Sequence, residues 1–174
     1  NLAGSAIEFS FALWPWRTPL FHVWQLLTYG FLHANFSHLF FNMFALYMFG
    51  SDIERALGTQ RFLNYYLVSV VGAAVMQLVV TYMIGGPPIP TVGASGGVFG
   101  LLLAFGMFFP NRRIMLLIPP IPMRAWVFVT LYGLVELAMG VFGTEQGVAH
   151  FAHLGGMLAG FLLIHHWRSE SGLR

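Results

Sequence analysis

The chain has 174 residues, of which 57% are hydrophobic and only 8% charged, with a net charge of +2. A soluble domain carries roughly 25% charged residues, so this composition excludes a water-facing globular fold and predicts a multi-span membrane protein. There is no cysteine, which excludes disulfides, a thiol nucleophile and thiolate-bound metal, and with so few charges a pI of 9.3 does not point to nucleic acid.

Residues 1–13 are too short and too polar to cross a bilayer, which takes about 20 apolar residues. They read as the tail of a helix lost upstream, in a fragment or processed chain. Glu8 and the lack of a basic start argue against a signal peptide. Residues 14–36 mix Pro, Trp, Tyr and His with apolar residues and read as a half-submerged loop at one membrane surface. Ser37 is the expected N-cap of the first clear spanning helix, 37–56. The second is expected over 60–84 and is broken by Gly85-Gly86-Pro87-Pro88. The third, 94–109, stops at Pro110-Asn111 and is short enough to need shielding by its neighbours. Prolines 119, 120 and 122 interrupt the next loop, and two further helices follow over 123–142 and 147–167. The expected fold class is all-α, a polytopic transmembrane bundle forming one membrane domain.

Every basic residue is arginine. Arg55 and Arg61 flank one loop, Arg112, Arg113 and Arg124 another, and Arg168 and Arg174 follow the last helix. The alternate loops, 85–92 and 143–146, carry none. Under the positive-inside rule the Arg-bearing loops are cytoplasmic. The starts of the helices near 37, 94 and 147 then face outward together.

Polar groups inside a membrane are costly and usually face the protein interior. Three sets fall on those outward ends. His38 and Asn42 share a helix face, Ser95 opens its helix, and His153 lies about two turns into the last one. The pairs Gly96/Gly100 and Gly156/Gly160 permit close helix approach. If those faces meet, a neutral His153 can take the Ser95 proton and make a nucleophile. The Ser95 N–H at a helix start, with His38 and Asn42, offers donors to an oxyanion. With Glu136 read as lying deeper in the neighbouring helix, the expected unit is a Ser-His dyad rather than a triad.

His38-Leu39-Phe40-Phe41-Asn42, Gly93-Ala94-Ser95-Gly96 and Ala152-His153-Leu154-Gly155-Gly156 together resemble the three signature motifs of the rhomboid intramembrane serine proteases, in that family's order. The resemblance covers roughly residues 13–165. It implies a six-helix core, with the first helix missing here, and cleavage of transmembrane protein substrates near their outer ends. It implies Ser95 as nucleophile, His153 as general base and acid, and His38, Asn42 and the Ser95 N–H as oxyanion hole. Phe99 stands where the family often has a tyrosine against the base. Trp24-Gln25 stands at its Trp-Arg position, without the cation that would anchor the loop to lipid phosphates. Gly93, Gly96 and His150 are supporting residues, His150 lining the cavity or bracing it. Water is expected to enter past 85–92 and 143–147. No cofactor, metal or nucleic acid is called for. The implied location is a bacterial-type inner membrane, with the site toward the outer face. The rival readings are a catalytically inactive relative that binds membrane helices, and a transporter lined by His38, His150 and His153.

Overall fold

The structure, a computed structural model, describes residues 6–85, 88–115, 120–143 and 149–170. It is built mainly of helices: α1 (Ala6–Phe11), α2 (Gln25–Thr28) with a 3-10 turn at Tyr29–Phe31, α3 (Phe36–Leu57), α4 (Thr59–Ile84), α5 (Ser95–Phe108), α6 (Ala125–Phe142) and α7 (His150–Glu170). A two-stranded antiparallel hairpin, β1 (Arg113–Met115) and β2 (Pro122–Arg124), joins α5 to α6. The described residues are otherwise helical as expected, and this hairpin is a local departure. Residues 122–124 pair with β1 as β2, so helix α6 starts at Ala125 rather than at residue 123. The cap of α3 is also corrected. Asn35, not Ser37, accepts the His38 backbone N–H at 2.8 Å, and the helix begins one residue earlier. Residues 86–87 and 144–148, in the two arginine-free loops expected to admit water, lie outside the described residues.

Helix α7 packs most extensively against α4 and α5. The approach is possible only because the facing residues are small. A Cβ on Gly156 would fall on the carbonyl of Gly96, and one on Gly100 would fall on the Ser69 side chain of α4. Gly156 therefore meets Gly96 and Gly100 of α5, as close packing without large side chains requires, whereas Gly160 lies against Tyr65 of α4. Helix α5 has only 14 residues, of which ten are buried. Its shortness is accommodated by α3, α4, α6 and α7 around it. Among the described residues, α4 and α6 are long and apolar enough to cross a membrane. Helix α6 buries only Ala125, Val129 and Glu136, and turns Leu131, Leu134, Val135 and Leu137 outward.

On the arginine side, Asp52 of α3 binds both Arg55 and Arg112, tying α3 to the segment after α5. Glu54 accepts the Thr59 hydroxyl across the α3–α4 junction. At the other end, the segment before α3 is held by Gln25, which is wholly buried. Its carboxamide oxygen accepts the backbone N–H groups of Trp14 and His22, and its nitrogen donates to the carbonyls of Ser10 and Leu20.

Candidate active site

Gly93 turns the chain into α5 with φ of +130°, a conformation that only glycine adopts cheaply. A side chain there would also strike the His38 imidazole. The Gly93 N–H donates to the Tyr29 carbonyl, while the Tyr29 hydroxyl donates to Val70 O of α4. This one buried tyrosine thus ties the first loop to both the α5 entrance and the core. Sequence reading gave it no role, because an isolated Tyr in an aromatic-rich stretch carries no distinguishing signal.

Ser95 is the first residue of α5, and its Oγ lies 2.8 Å from His153 Nε2. The His153 ring stacks on Phe99 with centroids 4.1 Å apart and planes 5° from parallel. On its far side, His153 Nδ1 lies 2.8 Å from Glu136 Oε2. The dyad expectation took Glu136 to sit too deep for this, and the packing register corrects it. Gly140 of α6 lies against His150 and Phe151, and Gly133 lies against Met157. Glu136, between those two glycines, is therefore level with His153. His150 Nδ1 reaches the same Oε2 at 2.8 Å. All three groups are buried.

Donor chemistry fixes the direction of these bonds. An ionised Glu136 only accepts, and in that state both Nδ1 atoms would carry the proton. His153 Nε2 then presents a lone pair, and the Ser95 hydroxyl donates to it. His38 has the opposite arrangement. Its Nδ1 accepts the Ala34 backbone N–H at 3.3 Å, leaving Nε2 protonated and next to Gly93. Asn42 Nδ2 donates to the His38 carbonyl at 2.8 Å, which fixes the carboxamide and uses one of its two N–H groups.

Ser95, His153, His38 and Asn42 line one open cavity of about 670 Å³, with Gln77, Thr81 and residues 89–92 on its other walls. The structure thus brings together Ser95, His153, His38 and Asn42, with Phe99 stacked behind the base. Gly96 packs against Ala73 and the Ala152 carbonyl rather than facing the cavity. His150 does not line the cavity; it is turned to Glu136. His33 meets His38 edge-on, its Nε2 buried without a hydrogen-bond partner. Burial, with His38 beside it, pushes the His33 imidazole below its usual value.

A family model described as the Rhomboid domain matches residues 20–168. The chain is 34% identical over 140 residues to rhomboid protein 1, mitochondrial, of Saccharomyces cerevisiae, covering 76% of this chain and 38% of that protein. It is 36% identical over 142 residues to RHOMBOID-like protein 4 of Arabidopsis thaliana, covering 80% and 33% respectively. It is 30% identical over 138 residues to rhomboid protease GluP of Bacillus subtilis, covering 79% and 25%. The chain therefore spans between 25% and 38% of the length of these three relatives.

Proposed function

The chain belongs to the rhomboid family, and from that premise we propose that it is an intramembrane serine endopeptidase acting on transmembrane protein substrates. The observation that carries the reading is the 2.8 Å contact between Ser95 Oγ and His153 Nε2 on the wall of an open cavity. A substrate helix hides its carbonyls in i to i−4 bonds, so it must unwind locally to present one. Small or helix-destabilising residues at the cut favour this.

Ser95 Oγ attacks the exposed carbonyl carbon as its proton passes to His153 Nε2. The carbonyl π bond becomes an oxyanion. Ser95 N–H at the α5 start, His38 Nε2–H and the remaining Asn42 N–H are its donors. As the C–N bond breaks, the imidazolium returns its proton to the leaving amine. Water then repeats the sequence on the acyl-enzyme. The arginine pattern supports an outward-facing site. Neither the reaction nor the residues proposed for it need a cofactor.

A fluorophosphonate probe tests the reading directly. The wild-type chain in detergent is expected to be labelled and to cleave a transmembrane substrate in liposomes. Ser95→Ala and His153→Ala are expected to lose both. A folded wild type that is neither labelled nor cleaves any transmembrane substrate overturns it.

A further inference from the structure

Resting on the serine-endopeptidase reading, we infer that Glu136 is a positioning residue for the base, and that His150 holds Glu136 in place. One carboxylate oxygen receives two imidazole N–H groups, each at 2.8 Å. Glu136, His150 and His153 are 5%, 5% and 8% exposed. A carboxylate this deep, on a helix that otherwise shows an apolar face, is expensive unless satisfied. What it satisfies is the one nitrogen of His153 that must keep its proton.

The chemistry follows from which nitrogen is bare. With Nδ1–H on Glu136, His153 can only offer Nε2 to Ser95. Without the carboxylate the ring can hold its proton on Nε2, where it cannot accept another. When the Ser95 proton moves to Nε2, the ring becomes an imidazolium beside the carboxylate. The pair is then neutral overall in a low-dielectric setting, which lowers the cost of that charge. The carboxylate takes no proton in any step. His150, on the next helical turn of α7, approaches the same oxygen and so fixes the carboxylate's position. The charged and titratable groups around His153 are Glu136 from α6, Ser95 from α5, His150 from its own helix and His38 from α3.

The test uses the full chain in detergent and in liposomes, with wild type and Ser95→Ala in parallel. Glu136→Gln is expected to lower kcat by about 100-fold or more, the direction seen when a triad acid is replaced by its amide. KM is expected to stay within about two-fold, since Glu136 does not line the cavity. Full kcat in Glu136→Gln while Ser95→Ala is dead overturns this inference and leaves the protease reading standing. A wild type that is inert overturns the protease reading itself. A second measurement does not depend on activity. Nitrogen-15 shifts of histidine-labelled wild type are expected to show His153 protonated on Nδ1 and bare on Nε2, with His150→Gln used only to assign the resonances. The opposite tautomer overturns the inference.

Discussion

The α5–α7 and α6–α7 contacts hold the same histidine by different means. Between α5 and α7 the glycine faces bring backbone against backbone, with Gly156 on the Gly96 carbonyl. Between α6 and α7 there is a carboxylate on two imidazoles, with Gly140 against Phe151 and Gly133 against Met157 to either side. In lipid an apolar face gains nothing by turning inward, since acyl chains are as apolar as leucine. Helix α6 accordingly leaves its leucines outside. Its attachment rests on Val129 against Gly106, Tyr132 against Phe99, and Glu136 on two histidines. The difference teaches that within a bilayer the buried polar residue, not the apolar stripe, marks the contact face.

The comparison can be broken most forcefully at Gly156. Gly156→Val places a side chain inside the α5 backbone, and is expected to cost about 3 kcal/mol or more. Loss of the cooperative melting transition in detergent, with loss of Ser95 labelling, checks it. Phe99 sits where all three helices meet, stacked on His153 and touching the Tyr132 ring. Phe99→Ala is expected to cost about 3 kcal/mol of stability, read by thermal unfolding, and to slow cleavage as the ring beneath the base is lost. Tyr65→Phe removes a buried 2.7 Å bond to the Gly100 carbonyl and should cost about 1 kcal/mol. The smallest effect belongs to the outer face of α6: Leu134→Ala should stay within about 0.5 kcal/mol of wild type. A melting temperature lowered more by Leu134→Ala than by Tyr65→Phe would reverse the contrast.

Much of the site was legible because arginine placement is a global signal. It put the outward ends of three helices together before any chemistry was considered, and Ser95, His153, His38 and Asn42 do line one cavity. Glu136 was legible too but was misread. From helix ends expected at 142 and 147, Glu136 lies six residues before the turn and His153 six after it. An antiparallel pair about a short loop puts such residues level, so counting depth across the loop would have found the contact. Gln25 was read for the charge it lacks. Its position inside the loop, with four hydrogen bonds, depends on a backbone path that no periodicity encodes. The hairpin after α5 was missed for a similar reason. Prolines announce a break, but strand pairing such as Arg113 with Arg124 is a long-range choice.

The brevity of α5 sets how deep its serine end lies. Fourteen residues rise about 21 Å, against about 30 Å of hydrocarbon. If its inner end is level with the arginine-bearing boundary, its serine end stops about 9 Å short of the outer one. A substrate helix alongside covers that gap with about six residues. On the proposed protease reading, helix length would then act as a ruler, and a thicker bilayer is expected to move the cut further from the substrate's outer boundary.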